Sequence, residues 1–100
     1  MPNYVQTTVD ALDALIPGND PDLVRLYALL VHTTGTATSL EDVHEAWSLW
    51  RNMTNPAHKS LVPFDELAPE VQEYDRVYRD AIAKVAAQRA LTVEYRAGGR

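Results

Sequence analysis

The sequence predicts an all-α fold, a small four-helix domain with an irregular Pro-rich connection between helices 3 and 4. Three observations carry that prediction. Apolar residues recur at three- and four-residue intervals along four segments, the spacing of one helix face. Helix-start signals, Asp20-Pro21, Ser39 and Pro69, stand ahead of three of those segments. Neither a period-two apolar alternation nor an Asn-Gly or Asp-Gly hairpin signal occurs. A chain of 100 residues makes one domain, 1–100. It divides into an N-terminal helical pair over 4–38, a second helical unit over 39–91 and a frayed tail over 92–100.

The first helix is expected from Tyr4 to about Ile16, with Val5, Val9, Leu12 and Ile16 on one face and Pro17-Gly18 as its stop. The second opens on Asp20 as N-cap with Pro21 at the first helical position, and runs to about Thr33. Leu23, Leu26, Tyr27 and Leu30 form one stripe while Val24, Leu29 and Val31 cover other sides, which places this helix centrally. Thr33 to Thr38 reads as a loop around Gly35. The third helix starts at Ser39, whose partner three residues on, Asp42, makes a variant capping box. Leu40, Val43, Trp47 and Trp50 share a face, and the helix is expected to end before Asn55-Pro56. Ala57 to Ala68 is irregular. The fourth helix begins near Pro69 and carries Val71, Tyr74, Tyr78, Ile82 and Val85 on one side, with helicity to about Leu91. Asp75 with Arg79 and Asp80 with Lys84 stand at favourable i,i+4 spacing.

Composition narrows the function. Acidic residues number 14 against 9 basic ones, a formal charge of −5, which argues against a nucleic-acid partner because such affinity rests on phosphate neutralisation. The third helix, with Glu41, Asp42 and Glu45 against Arg51, is a poor guest for a major groove. The absence of cysteine excludes disulfides, thiolate metal sites and cysteine nucleophiles. Leu23–Val31 is the longest apolar-rich stretch; it holds Arg25 and falls far short of the ~20 residues a membrane span needs. The first residues lack the basic start and apolar run of a signal peptide. A cytoplasmic protein without a membrane partner is the expectation. No metal is expected either, since His32, His44 and His58 are 12 and 14 residues apart, a spacing that matches no ligand motif. No cofactor and no catalytic residue is expected: Gly-rich phosphate loops and nucleophile elbows are lacking, and Asp65 and Glu66 stand at a helix start, where the dipole favours acids.

Three pieces in the second half stand in a recognisable order. His44-Glu45-Ala46-Trp47 lies on a helix. Pro56-Ala57-His58-Lys59-Ser60-Leu61-Val62-Pro63-Phe64-Asp65-Glu66-Leu67 follows, then Pro69 through Glu73-Tyr74-Asp75-Arg76. Together these resemble the repeat domain of ryanodine receptors, a domain also found alone in bacterial and phage proteins. The resemblance covers about half of the chain. The whole chain is also similar to small uncharacterised proteins of actinobacteria and their phages. The resemblance implies structural roles for His44, Trp47, Pro56, Leu61, Val62, Pro63, Phe64, Leu67, Tyr74, Asp75 and Arg76. It also implies a regulatory module that senses a nucleotide-derived ligand. Where the receptor repeats carry a Gly-Trp-Thr-Tyr-Gly-like stretch, this chain has Met53-Thr54-Asn55.

The residues themselves suggest a mechanism. Pro63 fixes its own φ and biases Val62 to extended geometry, turning Leu61 and Phe64 toward the Trp47/Trp50 face as a clamp between helices three and four. His44, beside Leu40 and Trp47, is expected to be partly buried and hydrogen-bonded. Trp50 and Tyr74 can stack on an aromatic ligand, and Arg51, His58 and Lys59 can hold its negative charge. The expected function is therefore a non-enzymatic regulatory or binding module for a small anionic ligand, or a nucleotide-like one as the resemblance implies. The alternative is a protein–protein interaction module or a homodimer, with helix one or the apolar sides of helix two as the interface.

Overall fold

In a computed structural model of the chain, residues 3–98 are described, with side chains through residue 90. Helix α1 spans Tyr4–Leu15 and is capped by Asn3, whose Oδ1 accepts the Gln6 N–H at 2.8 Å. The chain then turns through Gly18, whose φ of 83° is open to glycine and strained for other residues. Helix α2 is Pro21–His32, with the Asp20 carboxylate accepting the Asp22 N–H at 2.8 Å. A 3-10 turn at Gly35–Ala37 leads to α3, Leu40–Thr54. Its start is a complete capping box: Asp42 N–H donates to Ser39 Oγ at 3.0 Å and Ser39 N–H to Asp42 Oδ2 at 2.9 Å.

The Pro-rich strap, 55–68, holds one 3-10 turn at Phe64–Glu66. Helix α4 is a single turn, Pro69–Gln72; a second 3-10 turn, Glu73–Asp75, joins it to α5, Arg76–Gly98. The fourth helix of the sequence reading is thus broken, because three-residue hydrogen bonds tighten the chain at 73–75 before the long helix begins. It also runs beyond its expected end. The frayed tail over 92–100 is helical as far as Gly98. Residues 90–97 contain neither Pro nor Gly and are rich in Ala, Leu, Arg and Glu, so nothing local stops the helix. Gly99 and Arg100 lie outside the described residues.

One core joins the four long helices. Leu12 and Ile16 of α1, Leu23, Val24, Tyr27, Ala28 and Val31 of α2, Val43 of α3, and Ala81, Ile82, Val85 and Ala86 of α5 are buried together. Helix α2 touches α1, α3 and α5, as its nearly all-round apolar surface requires. Helix α1 docks on α2 and α5 of its own chain. Each fully buried side chain of the size of Leu12 or Ile82 contributes about 1.5–3 kcal/mol.

Two expectations are corrected. Arg79 bonds not to Asp75 but to the loop before α3: its Nε donates to the Thr38 carbonyl at 2.9 Å and its second terminal nitrogen to the Thr36 carbonyl at 3.1 Å. The guanidinium fork spans both carbonyls at once in charge-assisted bonds. The strap is not a clamp that turns Leu61 and Phe64 together onto the Trp47/Trp50 face, and Trp47, Phe64 and Tyr78 do not meet in one interior. All three are half-buried, and Phe64 packs against His44, ring centres 6.1 Å apart. The interior is filled by α1, α2, α3 and α5 instead, so the strap lies along α3 and leaves a cleft between it and α2.

Candidate functional site

His44 positions the strap. It is buried on α3, and its Nε2–H donates to the Val62 carbonyl at 2.7 Å, across eighteen residues of chain. That bond fixes the tautomer, since a neutral ring with its proton on Nε2 leaves Nδ1 as the acceptor. The same ring stacks on Trp47 at 5.7 Å. One turn away, the Ser48 hydroxyl lies 3.3 Å from Nε2, which is already committed as a donor to the strap. This serine and histidine are therefore not arranged as nucleophile and base.

With the strap held off, α2, α3 and the α4–α5 junction enclose a cleft of about 630 Å³. Its size lies within the range of small-molecule sites. All five residues read as ligand-binding, Trp50, Arg51, His58, Lys59 and Tyr74, stand on its walls. Of the motif residues, His44, Trp47, Leu67 and Asp75 line it as well. Pro56, Leu61, Val62 and Pro63 line a second, shallower groove on the other side of the strap, so Leu61 does not turn toward the Trp50 face. Arg76 pairs with Glu73 through two hydrogen bonds at 2.8 and 3.2 Å, which hold the Glu73 carboxyl below the usual carboxylate range.

The rim is cationic. The Arg51 guanidinium lies 4.3 Å from the centre of the Trp50 ring and 5.8 Å from that of Trp47, a cation–π sandwich in the last turn of α3. One terminal nitrogen of Arg51 reaches Thr54 Oγ1 at 3.3 Å, while its Nε is buried without a hydrogen-bond partner among the described residues. His58 meets Trp47 edge-on at 5.2 Å. Its Nδ1 accepts the Ser60 N–H at 3.0 Å, so Nε2 carries the proton of the neutral ring and is a donor. Lys59 adds an exposed ammonium.

Sequence reasoning missed a further residue of the lining. Tyr27 of α2 is 0% exposed, stacks on Tyr78 at 5.3 Å and lines the cleft, yet its hydroxyl has no hydrogen-bond partner among the described residues. Burial, then the Asp75 charge, then Tyr78 push the phenol far above its ordinary pKa, so it stays a donor. Asp75 stands nearby with its carboxyl raised chiefly by desolvation. Tyr27 is masked in the sequence by its place in the apolar stripe of α2. The available signal is that a lone phenol on a central helix needs a polar partner, and neighbouring positions supply none. Gly18, Asn19 and Asp20, the turn before α2, complete the opening.

Among the described residues no three His, Asp or Glu side chains converge to hold a metal ion. No helix of the described residues is long and apolar enough to cross a membrane. Neither a curated protein nor a solved structure matches the chain. A family model described as Domain of unknown function (DUF7701) matches residues 3–87, from the Asn3 cap to just past the last core residue of α5, and the chain belongs to that family.

Proposed function

We propose that the chain is a non-enzymatic binding module of the cytoplasm, resembling a ryanodine-receptor repeat in this respect. Its cleft takes a small anionic ligand with a planar aromatic part. The observation that carries the reading is a pair of buried donors, Tyr27 Oη and Arg51 Nε, unpaired on the walls of one cleft. Buried polar groups are nearly always satisfied, so two unsatisfied donors in the walls of one cleft set it apart from the rest of the surface. The Trp50–Arg51 sandwich offers a flat face and a charge together, and His58 Nε2–H and Lys59 extend the positive edge. In a chain of net charge −5, this local cluster steers anions to one place.

A thermal-shift panel of nucleotides, cyclic nucleotides and phosphosugars tests the reading. A ligand at a hundredfold its Kd adds about 2.7 kcal/mol of stability. In a domain of this size that is a rise on the order of 10 °C in Tm. Arg51→Ala with Lys59→Ala should remove the shift while circular dichroism shows the helices intact. A shift that survives the double substitution places the ligand elsewhere.

A second reading draws on one further observation. Tyr74, on the cleft wall, and Val77 are 70% and 66% exposed and stand three residues apart. Such a pair suits contact with another copy or a protein partner. Light scattering of the free and ligand-bound protein separates the readings: a dimer that no panel ligand affects favours the interaction module.

A further inference from the structure

Little holds Arg51 where it stands. Its guanidinium lies over the Trp50 ring at 4.3 Å and 5.8 Å from that of Trp47, and one terminal nitrogen reaches Thr54 Oγ1 at a long 3.3 Å. Among the described residues it forms no ion pair. Its Nε is buried there without a hydrogen-bond partner, a costly state for a donor of a charged group. The cation–π contact is its main hold, and that is weaker than a charge-assisted bond to an anion. The same position covers Trp50. That ring is half-buried and packs against the core, so the guanidinium over it occupies the surface a flat ligand needs. An uncharged aromatic molecule cannot stack on Trp50 while Arg51 stays. An anion alone can draw Arg51 off, but then leaves the indole bare to water.

Resting on the reading of the cleft as a ligand site, we propose that Arg51 is a specificity gate over Trp50, opened by ligands that carry an anion and an aromatic body together. The anion draws the guanidinium out of the sandwich, where Nε as well as the terminal nitrogens gains a partner. The aromatic body then takes the vacated face of Trp50. Each part removes the cost that the other meets alone, so the two bind cooperatively. A site that stands closed weakens every ligand unable to open it, and the gate thus selects the combination over either half.

Titration calorimetry with IMP, inosine and inorganic phosphate, on the parent and on Arg51→Ala, tests the gate. Circular dichroism checks that the variant keeps its helices. In the variant the Trp50 face is open. Inosine should therefore bind it about fivefold more tightly than it binds the parent, the low end of base–aromatic stacking, yet more weakly than the parent binds IMP. The preference for IMP over inosine should fall about tenfold, the value of one lost bond to a charged group. Acrylamide quenching of the tryptophan emission reads the cover directly. It should rise in Arg51→Ala and in the parent saturated with phosphate, and return to the free-protein value with IMP. Inosine that binds the variant no better than the parent, or phosphate that binds the parent without raising the quenching, overturns the gate. In either case IMP that binds the parent and is lost on removal of Arg51 and Lys59 leaves the anionic site standing. If neither IMP nor phosphate binds the parent, the ligand-site reading itself falls, and the gate with it.

Discussion

Tyr27 and Asp75 make the clearest case at the scale of single residues, because both cost the free protein stability. A buried hydroxyl without a partner forfeits about 1–3 kcal/mol of desolvation energy. Tyr27→Phe keeps the ring, its stack on Tyr78 and the packing of α2, and removes only that hydroxyl. It should raise stability by about 1 kcal/mol, read as a higher urea midpoint with unchanged slope. Asp75 acts through pH. Its folded pKa is raised above the ordinary value of about 3.9, chiefly by desolvation. The ionised form is the disfavoured one in the fold, so its penalty is absent below the unfolded pKa and is fully present once pH exceeds the folded pKa. Asp75→Asn should therefore be more stable than the parent at pH 7, and the difference should vanish near pH 3. Residues that serve only the fold behave oppositely; a fall in stability for both variants at pH 7 would return them to the core. These two were the part of the site that the sequence concealed. Arg51, His58 and Lys59 are legible because charged groups flank an irregular segment. Tyr27 and Asp75 are not, since Tyr27 reads as one more member of an apolar stripe and Asp75 as a helix partner of Arg79 and a motif residue. Whether a phenol finds a partner is decided by residues nearly fifty positions away.

At the scale of elements, the joins are held by side chain to backbone bonds rather than by ion pairs. The three ion pairs among the described residues are between close neighbours in sequence and partly or largely exposed, so each is worth little. Arg79 is different, since it ties α5 to the turn before α3 through the carbonyls of Thr36 and Thr38. The hydroxyls of Thr34 and Thr38 meet at 2.7 Å inside the same turn, and Gly35 takes a φ of 57° there to bring the backbone against α5. Arg79→Ala should cost about 2 kcal/mol, the loss of charge-assisted bonds to two carbonyls that then lack a partner. Arg79→Lys should recover less than half, because an ammonium cannot span both carbonyls as the fork does. Urea melts of the two variants measure this, and a loss below about 0.5 kcal/mol for the alanine variant would show that the turn holds itself. The element starts were legible: Asp20, Ser39 with Asp42, and Pro69 carry local chemistry that acts within a few residues. The break at 73–75 and the long run of α5 were not. The first depends on how the strap delivers the chain to α5, and the second on the mere lack of a breaker before Gly98.

At the scale of the whole molecule, the fold is longer than a domain of its length needs. Its extents are 51 × 26 × 19 Å and its radius of gyration is 14.6 Å, against about 13 Å for a typical 100-residue domain. Helix α5 alone, at 23 residues, reaches about 35 Å at 1.5 Å per residue. Its described contribution to the core ends at Ala86, and its Arg89 reaches back over the Tyr4 ring at 5.7 Å. The family match ends at residue 87. The cleft lies at the other end of α5, beside Asp75 and Tyr78. Core, family and site therefore converge on residues 3–90, and a chain cut after Ala90 should keep all three. Its Tm should stay within a few degrees of the full chain, as changes outside the core shift stability by about 0.5 kcal/mol or less. Its affinity for any ligand of the cleft should stay within twofold. A cut after Asp80 should by contrast leave no cooperative melt, since Ala81, Ile82, Val85 and Ala86 go with it. Calorimetric melts and titrations of the two truncated chains read both outcomes. If the chain ending at Ala90 unfolds, or folds and loses its ligand, the far part of α5 is holding the molecule together, and the separation of the site from the distal helix fails.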